Sequence, residues 1–178
     1  MRGATLLALV SAAVFCRVAF GADIEDPCAT FTWNVGHERA LFSGSSESVQ
    51  AGVNSASAPL LRADRLYVLN LVPQAQVRYP VVLAKKSLPD KGFGGVAHLR
   101  VPQAGLYRLS LDEPFWVDIA SGGHLLPVAD HQGRRGCKAP HKILQFSLPA
   151  ATELTLELVG TYGSQARLTI TRAPDSTP

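Results

Sequence analysis

The residues that could do chemistry in this 178-residue chain are few: five histidines, one run of basic side chains, some acid pairs and a tryptophan out of step with its neighbours. The histidines are His37, His98, His124, His131 and His141. A mononuclear iron or zinc centre commonly takes two or three imidazoles and a carboxylate. His124, Asp130, His131 and His141 fall within one stretch and are the candidate ligands for Fe or Zn. No two histidines stand at HxH or HExxH spacing, so the competing reading is a set of exposed loop histidines. No serine sits in a GxSxG elbow, and Gly92-Phe93-Gly94-Gly95 does not follow a strand and open a helix as a phosphate loop would. Asp112, Glu113 and Asp118 offer a carboxylate pair, or simply a turn and a solvated strand face.

Arg134, Arg135, Lys138, His141 and Lys142 form the one charge cluster. It is suited to an acidic partner, such as an anionic polysaccharide, and its hold would weaken with salt. Trp116 is out of phase with Phe115, Val117 and Ile119 and shares a strand face with Asp118. On an open face, Trp116 beside polar groups such as His98, Arg100 or Arg108 would make a sugar-stacking platform, because an aromatic ring offers apolar area next to polar edges. The alternative is a Trp116 covered by the N-terminal segment through Phe31 or Trp33.

These residues are set in a train of short strands. Apolar residues recur at every second position, the period of a half-buried strand. Ala97, Leu99 and Val101 share one face, as do Tyr107, Leu109 and Leu111; Phe115, Val117 and Ile119; Leu144, Phe146 and Leu148; Leu154, Leu156 and Leu158; and Ala166, Leu168 and Ile170. Turn chemistry separates them, including Pro102 to Gly105 and Ser121-Gly122-Gly123. Upstream, 65–71 and 77–83 read as strands, with Pro80 placing the second at an edge or bulge. A short strand is expected at 125–129 and a polar loop at 130–141. Residues 31–33 allow a strand, 37–42 a helical turn, and 43–58 a loop or flexible hairpin. The pattern predicts an all-β fold, an antiparallel two-sheet β-sandwich, jelly-roll-like or alternatively immunoglobulin-like.

Met1-Arg2 and the apolar run at 4–15 read as a signal peptide, with small residues Ala19 and Gly21 before a cleavage at 21/22. Phe15 before Cys16 is too large for a lipobox. The expected layout is a signal peptide at 1–21, a single sandwich domain at 22–172 and a tail at 173–178, periplasmic or secreted, with no transmembrane anchor after cleavage. Arg2 and Arg17 leave with the signal, so a formal +3 falls to 15 basic against 14 acidic groups. That balance gives no electrostatic case for nucleic acid. Cys28 and Cys137 remain in an oxidising compartment and predict one disulfide.

The order GGVAHLRVPQAGLYRLSLDEPFWVDI (94–119), then His131, Cys137 and KILQFSLP (142–149), resembles a group of small exported proteobacterial proteins of unknown function. They share an early Cys, an aromatic-x-Trp segment (Phe31-Thr32-Trp33), the AGLY strand (104–107), a W-[VI]-D strand (Trp116-Val117-Asp118) and a late Cys. Some carry the label homogentisate 1,2-dioxygenase, which would imply a small metal-dependent enzyme. Homogentisate dioxygenases themselves are much longer cytoplasmic enzymes with a cupin His/Glu iron site, and no equivalent pattern stands in this chain. The AGLY strand is also similar to that of bacterial pre-peptidase C-terminal sandwiches, which are accessory and binding domains. Neither resemblance carries a functional residue across. The expected function is a non-catalytic, cofactor-free binding or cell-envelope accessory module whose partner is an envelope glycan or an envelope protein. Its candidate binding residues are Trp116, His98, Arg100, Arg108, Arg134, Arg135 and Lys138.

Overall fold

The computed structural model describes residues 26–85 and 91–174. The expected signal peptide at 1–21 and the tail beyond Pro174 lie outside them. The strands are β1 (Ser46–Gln50), β2 (Leu60–Arg62), β3 (Leu66–Asn70), β4 (Val72–Pro73), β5 (Phe93–Arg100), β6 (Gly105–Leu111), β7 (Trp116–Ser121), β8 (His124–Leu125), β9 (Val128–Gly133), β10 (Lys142–Leu148), β11 (Leu154–Thr161) and β12 (Gln165–Arg172). Among the described residues one α-helix, α1 (Gly36–Ser43), precedes them.

The strands form two packed sheets. One runs β1-β3-β12-β6-β10-β9 and the other β2-β5-β11-β7-β8, with β4 paired to β5. Within them β3 pairs β12, β5 pairs β11, β6 pairs β10 and β7 pairs β8, all antiparallel. These pairs nest one inside the next along the chain and alternate between the sheets. A long antiparallel ribbon wound in this way is a jelly roll, which decides against the immunoglobulin-like alternative. The sheets are mixed rather than purely antiparallel, because β1 runs parallel to β3 and β2 parallel to β5. Both exceptions come from residues 43–62, where the chain alternates between sheets instead of turning back as a hairpin.

The period-two residues fill the space between the sheets. Tyr67, Leu69, Leu99, Leu109, Leu111, Ile119, Phe146, Leu154, Leu156, Leu158, Leu168 and Ile170 are all buried in one apolar cluster. Burying one such side chain is worth about 1.5–3 kcal/mol.

Four local expectations are corrected. Residues 31–33 are not a strand; a 3-10 turn over Pro27–Thr30 leads through bends into α1. The segment 43–58 contains β1 and a 3-10 turn over Ser55–Ser57. The polar stretch from 130 is not all loop: β9 pairs antiparallel with β10 at the sheet edge, and its exposure on both faces removes the alternation that would have revealed it. Residues 77–83 are not a strand. They form an irregular strap, because Pro80 has no N–H and the N–H groups of Val81 and Ala84 go to side chains rather than to a ladder.

The outer faces of the sandwich are covered as well. Residues 27–43 lie over the β3-β12-β6-β10 sheet, where Ser110, Thr169 and Thr171 are wholly buried. The disulfide Cys28–Cys137 fastens this cover, and Phe31, Val35, Cys137 and Ile143 make a second small apolar cluster beneath it. Three arginines of the sandwich stack on its aromatic rings: Arg108 on Trp33, Arg134 on Phe31 and Arg167 on Phe42. Among the described residues no helix is long and apolar enough to cross a membrane.

Candidate functional site

The strap at 77–85 crosses the outer face of the second sheet, from β5 over β11 to β7. Arg78 N–H donates to the Val53 carbonyl at 2.8 Å, and the Tyr79 hydroxyl to the Leu158 carbonyl at 2.9 Å. Gly94 lies directly under that hydroxyl, where a Cβ has no room. Val81 N–H donates to Glu157 Oε1 at 2.9 Å and Ala84 N–H to Asp118 Oδ2 at 3.1 Å. The strap is therefore held at polar points; its Val82 stands 88% exposed.

Glu157 and Asp118 face each other in register across β11 and β7. Side chains so placed have Cβ atoms about 4.5–5.5 Å apart. Glu157 is wholly buried, and its Oε2 has no partner among the described residues. Burial, and to a lesser degree the charge of Asp118, push its carboxyl up to about 7 against the Val81 hydrogen bond. Burial also drives the Tyr79 phenol well above its ordinary value, with the charge of Glu157 adding to it. Burial foremost, and then the charge of Asp118, make a bare charge on Glu157 unfavourable, so the folded state favours the protonated carboxyl. The folded value lies above the ordinary 4.5. The stabilisation is therefore complete below about pH 4.5 and is lost as pH rises through about 7. Amide exchange at 77–85, corrected for its intrinsic pH dependence, is expected to be faster at pH 8 than at pH 5.5, with Glu157→Gln flattening the difference. Equal protection at both pH values would refute this.

At the end of the strap stands Trp116, the first residue of β7 and 37% exposed. Its indole N–H donates to Asp118 Oδ1 at 2.9 Å, which fixes the plane of the ring. Two ammonium groups approach that ring: Lys85 Nζ from the strap at 6.0 Å and Lys142 Nζ from β10 at 5.9 Å from its centre. Lys142 also donates to the Phe115 carbonyl at 3.5 Å. Burial first, and then the neighbouring charge of Lys85, lower its proton affinity, with Asp118 opposing. Phe115 joins this corner to an end cleft of about 370 Å³, lined also by Asp112, Glu113, Thr161, Tyr162 and Gln165.

Of the residues expected around Trp116, none is its neighbour in this arrangement. Arg108 belongs to the other sheet and is buried under the N-terminal cover, its Nη1 donating to the Asn34 carbonyl at 2.7 Å and paired with Glu38 Oε1 at 3.3 Å. His98 sits opposite Thr155, whereas Trp116 sits opposite Val159, four residues along β11. His98 bonds the Ser55 carbonyl and, with Arg100, faces Glu153 at 3.6 Å. The covering of Trp116 by Phe31 or Trp33 does not occur, since both rings lie on the opposite side of the sandwich.

The basic cluster disperses. Arg134 donates to the Thr30 carbonyl and stacks on Phe31; Lys138 faces Glu113 at 3.7 Å; Arg135 is exposed. The four candidate metal ligands do not converge. His124 is in β8 of one sheet, and Asp130 and His131 are successive residues of β9 in the other. His141 Nδ1 bonds the Cys137 carbonyl. Among the described residues no group of three or more His, Cys, Asp or Glu is placed to hold a metal ion.

Sequence reasoning missed Glu157, Tyr79, Lys85 and the role of Lys142. Glu157 alternates with leucines and reads as a solvated position; only its place under the strap reveals it. Compared with known families and with curated proteins, the chain matches no protein-family model and no curated protein.

Proposed function

We propose that this chain is an exported, non-catalytic binding module of the cell envelope that takes a saccharide at Trp116. The observation that carries the reading is a half-exposed indole locked by Asp118 at the end of a sheet face, beside a cleft with a second aromatic, Tyr162, 90% exposed at its rim. A ring held in place before the ligand arrives loses little freedom on binding, and its face suits the apolar side of a pyranose. The remaining surfaces favour this over pairing through a sheet edge. β8 and β2 have two and three residues. β1 and β9 carry Glu47, Asp130 and His131, charges and polar groups that discourage strand addition.

Binding of the purified mature protein to envelope polysaccharides, measured by calorimetry, tests the reading. Trp116→Ala is expected to weaken binding at least about tenfold, near 1.4 kcal/mol, with Trp116→Phe in between. Affinity unchanged in Trp116→Ala, with the disulfide and near-ultraviolet spectrum intact, would overturn it.

A further inference from the structure

We propose that the Trp116 site contains an anion subsite, built from Lys85 and Lys142, that takes the carboxylate of an acidic sugar ring. The inference rests on the saccharide reading of Trp116 and specifies its ligand. Two like charges from different elements, the strap and β10, converge on one indole at 6.0 and 5.9 Å. Each is half-buried, and among the described residues neither is in a salt bridge. The mutual repulsion is large enough to help lower the proton affinity of Lys142.

Proteins relieve such a juxtaposition with a counter-charge. Asp118 acts on Lys142 through its charge, but its two oxygens are turned to the Trp116 indole N–H and the Ala84 N–H, and it is in no salt bridge with either lysine. Four other basic residues have partners of their own: Arg108 pairs with Glu38, Arg134 donates to the Thr30 carbonyl, Arg100 faces Glu153 and Lys138 faces Glu113. An incoming carboxylate between the two ammonium groups would satisfy both. A ring bearing it would meet the exposed part of the indole and the charge pair together. Lys85 belongs to the strap, so the subsite is complete only while the strap is docked over Glu157 and Asp118.

The test compares short oligogalacturonate and oligomannuronate with their methyl esters, which keep the ring and lose the charge. The acid forms are expected to bind about tenfold tighter than the esters at low salt, a margin that shrinks as salt rises. Lys85→Gln and Lys142→Gln are each expected to weaken acid binding roughly three- to tenfold and to leave ester binding unchanged, while Trp116→Ala weakens both. Both lysines are half-buried and neither is in a salt bridge among the described residues; both variants are expected to keep the fold, which the near-ultraviolet spectrum checks. If esters bind as well as acids, or if both lysine variants bind acids normally, the anion subsite is wrong and the saccharide reading stands. If neither acids nor esters bind the wild-type protein, both fall.

Discussion

Replacing both Cys28 and Cys137 with serine is expected to lower the stability of the protein by about 4–5 kcal/mol, the worth of closing a loop near 100 residues in the chain-entropy account. The bridge spans 109 residues of sequence, so the unlinked chain regains a large conformational ensemble. Its second effect is local. Cys28 stands at the start of the cover over the β3-β12-β6-β10 sheet, and Cys137 is wholly buried beneath that cover with Ile143. The other ties of this end are few: Arg134 Nε to the Thr30 carbonyl at 2.7 Å, the Thr32 N–H to Gln132 Oε1 at 3.0 Å, Gln132 Nε2 to the Thr32 hydroxyl, and the contact of Arg134 with the Phe31 ring. Urea unfolding of wild type with and without reductant, beside the double serine variant, gives the magnitude. Exchange of the amides in α1 reports on the cover separately. A loss below about 1 kcal/mol would show that the bridge ties down structure already formed in the unfolded chain.

Glu38→Gln is expected to destabilise by about 3–5 kcal/mol, the usual cost of leaving one member of a buried ion pair without its counter-charge. The side chains of Glu38 and Arg108 are only 2% and 6% exposed. Glu38 Oε1 also accepts from the Thr171 hydroxyl at 2.8 Å, and the guanidinium lies 4.9 Å from the centre of the Trp33 ring. The amide keeps the shape and removes the charge, so the guanidinium remains in a site closed to water. For a domain of this size the loss corresponds to a fall in Tm on the order of 10 °C. Glu38→Leu combined with Arg108→Met removes both charges and keeps apolar volume, and is expected to recover most of the loss. A double-mutant cycle followed by thermal unfolding decides the matter. If Glu38→Gln melts with wild type, the pair is hydrated and the cover is loosely docked.

Much of the fold can be read from residue order because one physical rule governs it. A strand shows alternate faces, and the apolar set 97/99/101, 107/109/111, 144/146/148 and 154/156/158 belongs to a single interior. The same rule misleads about the outward set. Arg108, Ser110, Asp118, Glu157, Thr169 and Thr171 alternate with core residues as solvated positions do, yet all are buried. Their cover comes from segments outside the strands, 27–43 over one sheet and 77–85 over the other. Residues 77–83 do alternate as a strand would, yet they join no ladder: the strap docks through three backbone N–H groups, one hydroxyl and one lysine.

The order of residues by itself therefore determined the β-sandwich and its core faces, because hydrophobic alternation is a local property, and it pointed to Cys28 with Cys137 as the pair left once Cys16 is assigned to the expected signal peptide. The tertiary structure alone decided the jelly-roll winding, the separation of Arg108 from Trp116 and the meeting of Lys85 with Lys142. Those depend on strand register across distant residues and on which coil lies over which sheet.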